Sequence, residues 1–189
     1  GDSISIGYTP EVVASLQDQV FVSRAKANCG DTIRGLAALD DWLGNTDWDV
    51  IHFNWGLHDL CYRSEKSKIV GNRDKVNGQQ SVPLNQYIQN LEKLVARLKK
   101  SGAKLIWATT TKVPNGEPGR YAGDEIKYNQ AAKKIMIKHG IAINDLHKLS
   151  SSIDASFFRK PGDVHFTPQG SSLLGKQVTA QIRQILSQN

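Results

Sequence analysis

Two segments near opposite ends of the chain carry the side chains that acyl chemistry needs. Ser3 follows Gly1 and Asp2 and leads into a predicted helix. At such a junction a hydroxyl can act as a nucleophile while free N–H groups of the helix face a developing oxyanion. His165 precedes another predicted helix, two residues after Asp163. The residue types Ser, His and Asp predict a nucleophile, a general base and a carboxylate that orients the base. Taken alone, however, the first segment also fits a surface serine, and the second also fits a structural histidine.

Two further segments carry groups that could stabilise negative charge. Gly30 follows a predicted strand at residues 20–24, and it fits either a turn with positive φ or a bare N–H that approaches a ligand. Asn54 and His58 come at the end of the next predicted strand, residues 49–54. Their amide and imidazole groups either bind a ligand or belong to a polar turn that ends a buried strand.

Strands and helices alternate along the chain, which predicts an α/β domain with a mainly parallel sheet. Short runs of β-forming or continuous apolar residues predict strands at residues 20–24, 49–54, 104–109 and 141–146. Helical spacing of apolar residues predicts helices at residues 31–43, 84–100, 124–139 and 168–186. No linker or internal repeat interrupts these elements, so we expect one domain over residues 1–189.

Two long segments, residues 61–82 and 111–123, have no predicted helix or strand. Connections of this length in a compact domain are typically functional or disordered. Both begin near the carboxyl ends of predicted strands, beyond which open α/β sheets bind their ligands. We therefore expect a substrate-facing rim there.

Composition narrows the classes of partner. The 189 residues carry a net charge of +6, but the basic residues are spread and accompany no nucleic-acid motif, so nucleic acid is not expected. No run of about 20 apolar residues predicts a membrane span. Two cysteines alone predict neither a metal site nor a disulfide scaffold. No cofactor is expected, and the oligomeric state is left open.

Taken in order, these segments resemble the blocks of the SGNH/GDSL hydrolase family. Gly1-Asp2-Ser3 resembles the first block, which supplies the nucleophile, and Gly30 resembles the second-block glycine that helps to form the oxyanion hole. Gly56-Leu57-His58-Asp59 stands where the family has Gly-x-Asn-Asp, and residues 162–170 resemble the block with the general-base histidine. The resemblance covers nearly the whole chain and implies a flavodoxin-like three-layer α/β/α sandwich.

The chain departs from the family pattern at three points. His58 replaces the asparagine, so the third oxyanion donor is either His58, which the register favours, or Asn54. The family aspartate stands where this chain has Gly162, so either Asp163 completes a triad or a backbone carbonyl supports a Ser–His dyad. The family nucleophile follows a central strand, and none precedes Gly1 in this sequence. We expect either that this first strand, of about five residues, is missing from the chain, which would leave backbone groups unpaired, or that another segment or a partner chain fills its place.

The resemblance implies a serine ester hydrolase that forms an acyl-enzyme and needs no metal. The polar segment at residues 61–80, with Tyr62 and Arg63, and the nearby Trp55 suit a small-molecule or carbohydrate ester. No long apolar loop suggests a lipid channel, which favours a short acyl group, above all acetyl. The alternative is a catalytically weak or inactive module that binds a glycan or other polar ligand. A nucleotide-binding protein is disfavoured because no phosphate-binding glycine loop follows a predicted strand.

The two cysteines stand beside the oxyanion blocks of the resemblance. Cys29 precedes Gly30, and Cys61 follows His58 by three residues. If Gly30 and His58 converge on one oxyanion, the sulfurs lie on neighbouring loops. A disulfide would then brace the site and imply a secreted or periplasmic protein. The alternative is two separate thiols.

Overall fold

A parallel sheet between helices forms the centre of the structure, a computed structural model that describes residues 1–188. The strands are β1 (Val50–Phe53), β2 (Tyr62–Arg63), β3 (Gln79–Gln80), β4 (Lys104–Ala108) and β5 (Ala142–Asn144). The helices are α1 (Ser3–Leu16), α2 (Thr32–Leu43), α3 (Leu84–Lys99), α4 (Asp124–Lys138), α5 (Leu146–Ser152) and α6 (Pro168–Leu186). The parallel sheet has the order β1–β4–β5, while β2 and β3 form a separate antiparallel hairpin.

Two groups of helices flank the sheet. Helix α1 packs against α6, which contacts β1, β4 and β5, while α2 packs on α3 and α3 on α4. The apolar face predicted for α3 is buried, with Leu91, Leu94 and Leu98 almost wholly inaccessible. Burying each such side chain stabilises the fold by about 1.5–3 kcal/mol. The predicted α/β fold with a parallel central sheet is confirmed.

The helices predicted from apolar spacing are confirmed to within two residues at either end. The last begins where expected, because Thr167 caps it by accepting from the Gly170 N–H at 3.2 Å and Pro168 occupies its first position. The last predicted strand, residues 141–146, is shorter in the structure than expected. Strand β5 ends at Asn144, and Asp145 caps the short helix α5 by accepting from the Lys148 N–H at 3.0 Å.

The predicted strand at residues 20–24 is wrong. Residues 20–25 form neither helix nor strand. A cavity of about 490 Å³ is lined by these residues, by residues 46–55, and by parts of α1 and α6; we call it the edge cavity. A chain segment becomes a strand only where a neighbour accepts its hydrogen bonds, and residues 20–25 face the edge cavity instead.

Candidate active site

Ser3 is the first residue of α1, and the cap of that helix fixes its position. The Asp2 carboxylate accepts from the Ile4 N–H at 3.0 Å, and the Asp2 carbonyl accepts from the Ile6 N–H at 3.1 Å. Such a cap satisfies one of the free N–H groups of a helix start. Ser3 therefore lies at the positive end of the helix dipole, which favours negative charge on or beside its hydroxyl.

Hydrogen bonds join the three residues predicted for catalysis. The Ser3 Oγ lies 2.9 Å from the Nε2 of His165, and the Nδ1 of His165 lies 2.6 Å from the Oδ1 of Asp163. Because the ionised carboxylate accepts a hydrogen bond from the Nδ1–H of His165, the Nε2 atom is left with its lone pair towards Ser3. The arrangement can therefore withdraw a proton from the serine hydroxyl.

The Asp163 carboxylate is both fixed and ionised. Its Oδ1 also accepts from the backbone N–H of His165 at 3.0 Å. Burial raises the pKa of Asp163, but the hydrogen bonds from His165 and the electrostatic influence of His165 and Arg159 outweigh burial and hold the pKa below its usual value. The carboxylate is thus negative at neutral pH and can stabilise an imidazolium.

The structure also explains why the acid does not stand three residues before the histidine. Gly162 has φ +73°, where a side chain is strained, and a Cβ there would lie 2.8 Å from the carbonyl oxygen of Gly116. An aspartate at position 162 would therefore clash with the backbone of the neighbouring loop. Position 163 is the next one from which a carboxylate reaches the imidazole.

The segment around Gly30 lies beside the nucleophile. The Cys29 N–H donates to the Gly1 carbonyl at 3.1 Å, which fastens this segment to the turn before Ser3. Gly30 has φ +59°, and its N–H donates to the Asn28 Oδ1 at 3.0 Å. The Asn28 amide must therefore rotate away before the Gly30 N–H can bind an oxyanion. The Ser3 N–H has no hydrogen-bond partner within residues 1–188.

The two candidates for the third oxyanion donor differ in their bonding. The Asn54 Nδ2 donates to the Ala108 carbonyl at 2.7 Å and to the Thr110 Oγ1 at 3.3 Å, which ties the ends of β1 and β4 together. Both amide hydrogens of Asn54 are thereby engaged. The half-buried ring of His58 makes no hydrogen bond to any of the described residues, 1–188.

Electrostatics keep His58 neutral. Burial lowers the pKa of its ring, and the charges of Arg120 and Arg63 act in the same direction against those of Asp2 and Asp31. A neutral imidazole carries one N–H donor and one acceptor. Asp2 and Asp31, whose charges raise the pKa of His58, stand next to Ser3 and Gly30 in the sequence.

Asp59 is a buried carboxylate that sequence reasoning left without a role. Its Oδ1 accepts from the Thr32 N–H at 2.8 Å and from the Thr32 hydroxyl at 2.6 Å, and that hydroxyl accepts from the Asn90 Nδ2 at 3.1 Å. These bonds join the start of α2, just after Gly30, to the turn that carries His58. Asp59 thus holds two of the predicted oxyanion segments in one arrangement.

Replacement of Asp59 by asparagine is expected to change how stability depends on pH. Burial raises the pKa of Asp59 to about 7, despite the hydrogen bonds from Thr32 that lower it. The folded protein then binds more protons than the unfolded chain between about pH 4 and pH 7, so the free energy of unfolding falls as the pH rises, by about 4 kcal/mol at most. Asparagine keeps an oxygen for Thr32 and does not titrate.

Urea unfolding at about pH 5 and about pH 8 measures this effect. Asp59→Asn should gain stability relative to the parent protein as the pH rises, while the exposed Asp41→Asn on α2 should follow the parent. Parallel pH curves for parent and Asp59→Asn would show that Asp59 stays ionised throughout.

The three residues predicted to bind substrate occupy different environments. Trp55 is 3% exposed, and its ring packs against Gly35 of α2, so it belongs to the core and not to a substrate surface. Tyr62 and Arg63 are half-buried on β2. The Tyr62 ring meets that of Tyr121 edge to face at 5.3 Å between centroids.

A buried ion cluster fixes the rim. Glu117 is fully buried, and its carboxylate accepts from the Arg73 guanidinium at 3.1 Å, the Arg120 guanidinium at 2.8 Å and the Gly119 N–H at 2.6 Å. The Nε of Arg120 donates to the Leu57 carbonyl at 2.7 Å. The cluster therefore joins residues 61–82, residues 111–123 and the His58 turn. Sequence reasoning missed it because charged loop residues resemble a solvated surface.

Cys29 and Cys61 are both buried free thiols, so of the two alternatives, a disulfide and two separate thiols, the structure has the second. The Cys29 Sγ lies 3.8 Å from the Ala27 carbonyl, and the Cys61 Sγ lies 3.7 Å from the Tyr62 carbonyl. The Cys29–Cys61 bond on which an oxidising compartment depended is therefore not formed.

Within the described part of the chain, no cluster of three or more His, Cys, Asp or Glu residues could hold a metal ion. None of the helices formed by residues 1–188 has the length and apolar character that crossing a membrane requires.

Comparison with known proteins connects this geometry to a family. The GDSL-like lipase/acylhydrolase family model matches residues 1–173. No match was found among curated proteins.

Three solved structures resemble the fold. The acetyl xylan esterase AlAXEase has a TM-score of 0.75 at 16% identity, covering 96% of each chain. A lipase/acylhydrolase from Enterococcus faecalis has a TM-score of 0.71 at 21% identity, covering 97% of this chain and 93% of that one. A catalytic mutant of Axe2, an acetylxylan esterase from Geobacillus stearothermophilus, has a TM-score of 0.67 at 17% identity, covering 95% and 80%. At these identities the likeness shows a common fold.

Proposed function

Because the chain belongs to the GDSL-like lipase/acylhydrolase family, we propose that it hydrolyses short-chain esters, above all acetyl esters, of small molecules or carbohydrates. The observation that carries this proposal is the hydrogen-bonded series Ser3–His165–Asp163 at the start of α1. A nucleophile, a base with a free Nε2 and an ionised carboxylate, placed at a helix N-terminus, are the groups that ester hydrolysis needs.

In the first half of the reaction, Ser3 Oγ attacks the ester carbonyl carbon and His165 Nε2 takes its proton. The carbonyl oxygen becomes an oxyanion, which the Ser3 N–H, the His58 ring and, after the Asn28 amide rotates, the Gly30 N–H stabilise. The imidazolium then protonates the leaving alcohol as the C–O bond breaks. An acyl group remains on Ser3.

In the second half, water replaces the alcohol. His165 Nε2 accepts a proton from the water, whose oxygen attacks the acyl carbon. The second tetrahedral intermediate collapses, the proton returns to Ser3 Oγ, and the carboxylic acid leaves. Asp163 stabilises the imidazolium in both halves and stays ionised.

The surroundings of Ser3 support a short acyl group and a polar alcohol. The edge cavity has many apolar wall residues, but neither Ser3 nor His165 lines it, so it offers no acyl channel to the nucleophile. Tyr62 and Arg63 are half-buried on the rim; the Tyr62 hydroxyl and the Nη2 of Arg63, whose Nε and Nη1 bond to Ser81 and Gly71, are polar groups that suit a carbohydrate. The acetyl xylan esterases that share the fold are named for such substrates.

Hydrolysis of esters of graded length tests this proposal. We expect kcat/KM for p-nitrophenyl acetate to exceed that for the octanoate ester by about tenfold or more, and acetate to be released from acetylated xylo-oligosaccharides. Ser3→Ala should abolish both activities, whereas Ser15→Ala, on the same helix and bonded to Glu11, should keep them. A preference for the octanoate ester would refute the short acyl group. Binding of the oligosaccharides without release of acetate would favour a glycan-binding module.

A further inference from the structure

Arg120 is a buried cation that joins two parts of the structure. Its Nη1 donates to the Glu117 Oε1 at 2.8 Å, and its Nε donates to the Leu57 carbonyl at 2.7 Å. Only 5% of its surface is exposed, and an arginine is almost never buried so deeply unless its charge is paired. The Glu117 carboxylate supplies that pairing. The contact with Leu57 is therefore made by a guanidinium that is fixed in place.

The Leu57 carbonyl belongs to the peptide unit that leads into His58. A peptide unit is planar and almost rigid, so a donor that fixes this oxygen also fixes the direction in which the chain enters His58. The turn has a bond of its own, from the Leu60 N–H to the Gly56 carbonyl at 3.0 Å, but that bond does not involve the Leu57 oxygen. No hydrogen bond within residues 1–188 other than that of Arg120 reaches it.

The loop that carries Glu117 also contacts the loop that carries the general base. Gly162 packs so closely on Gly116 that a Cβ added to Gly162 would lie 2.8 Å from the Gly116 carbonyl oxygen and 3.4 Å from the Glu117 N. The backbone of the Glu117 loop therefore supports the base loop, while Arg120 supports the His58 turn. Because both contacts come from one loop, that loop sets the separation between the general base and the His58 ring.

Arg73 provides an internal comparison with Arg120. Its Nη1 donates to the same Glu117 oxygen at 3.1 Å, but its Nε donates to the carbonyl of the exposed Val70 at 3.0 Å. Both arginines thus pair with one carboxylate, and of the two only Arg120 contacts the His58 turn. Loss of either should cost stability, because a buried charge without its partner is unfavourable. Only loss of Arg120 should disturb His58.

We propose that Arg120 is a positioning residue of the active site. Anchored on Glu117, its guanidinium holds the Leu57 carbonyl, and this peptide unit directs the His58 ring at the oxyanion. The ring makes no hydrogen bond to any of the described residues, so its direction depends on the backbone that carries it. A misplacement of about 1 Å can cost about a hundredfold in rate. The effect on turnover rests on the proposed function, in which His58 is an oxyanion donor.

A matched pair of variants, Arg120→Lys and Arg73→Lys, tests this proposal. Lysine keeps the positive charge beside Glu117 but lacks the guanidinium fork, so its ammonium group cannot hold the carboxylate and the Leu57 carbonyl in the same geometry. We expect Arg120→Lys to lower kcat for p-nitrophenyl acetate by about a hundredfold while KM stays within about threefold of the parent. Arg73→Lys should lose a similar amount of Tm but keep kcat within about threefold.

A second readout does not depend on hydrolysis. The ring signals of His58 in NMR spectra, assigned by their absence from His58→Gln, should shift or broaden in Arg120→Lys and keep their parental positions in Arg73→Lys. Glu117→Gln should also shift them, because its amide keeps an acceptor for Arg120 without the charge that anchors the guanidinium. This variant takes the place of Arg120→Lys if the latter does not fold. The spectra report the support of His58 even if the parent protein hydrolyses no ester, so failure of the proposed function is distinguishable.

Three results would overturn the proposal. Parental His58 signals in Arg120→Lys and Glu117→Gln would show that the turn keeps its arrangement without this contact. Parental kcat in Arg120→Lys, in a parent protein that hydrolyses the ester, would show that turnover does not need the contact. Equal losses of kcat in Arg120→Lys and Arg73→Lys, in proportion to their losses of Tm, would show that the ion cluster stabilises the fold and positions nothing.

Discussion

Ser3→Ala and His165→Ala are each expected to lower kcat for p-nitrophenyl acetate by about 10⁴-fold or more while the protein stays folded. The 2.9 Å contact between Ser3 Oγ and His165 Nε2 makes the two side chains one functional unit. Removal of either leaves the other without a reaction partner. The double variant should therefore be about as slow as the single ones.

Steady-state kinetics and Tm, measured on the same preparations, check this expectation. His139→Ala is a matched control, because His139 bonds to Glu92 at 2.8 Å on α3 and lies outside the active site. Its kcat should stay within a few-fold of the parent. Losses that multiply in the double variant would mean that Ser3 and His165 act independently, contrary to the proposed mechanism.

Asp163→Asn is expected to lower kcat by about 10⁴-fold with little loss of stability. The carboxylate accepts from both Nδ1 and the backbone N–H of His165. An asparagine whose oxygen keeps the place of Oδ1 holds the ring but has no charge with which to stabilise the imidazolium, and an asparagine in the flipped orientation presents its NH₂ group to Nδ1. The ring proton then moves to Nε2, where it blocks proton transfer from Ser3.

Asp154→Asn provides the matched comparison, because Asp154 also caps a backbone N–H, that of Ser156, at an exposed turn. That variant should retain parental kcat. Turnover of Asp163→Asn within about tenfold of the parent would retire the triad and favour a dyad supported by a backbone carbonyl.

Helices and buried strands could be predicted from the sequence because their signals are local. The apolar spacing of residues 84–100 and the apolar run of residues 104–109 each report a buried surface that a short window contains. The strand predicted at residues 20–24 shows the limit of this reasoning. Its residues have β-forming character and alternate in burial, but pairing depends on a neighbour that no local pattern reports.

The order of the candidate residues along the chain was more informative than any one of them. Ser3, Asp163 and His165 were placed by that order, and the structure brings them within hydrogen-bond distance. The roles of the buried carboxylates Asp59 and Glu117 could not be predicted from the sequence, because burial of a charge depends on partners that lie far away along the chain. The substrate-binding role predicted for Trp55 is wrong, because an aromatic residue beside polar ones fits a surface or a core equally well, and the structure buries it in the core.

The short spacing between Asp163 and His165 has a mechanical consequence. One oxygen of the Asp163 carboxylate accepts two hydrogen bonds from His165, one from the backbone N–H and one from Nδ1. Asp163 and His165 therefore move as one unit when the loop before α6 moves. Ser3 belongs to a different helix, α1, and meets this pair through a single hydrogen bond. Motion of the loop alters the distance that proton transfer must cross, and it leaves the alignment of the imidazole on its carboxylate unchanged.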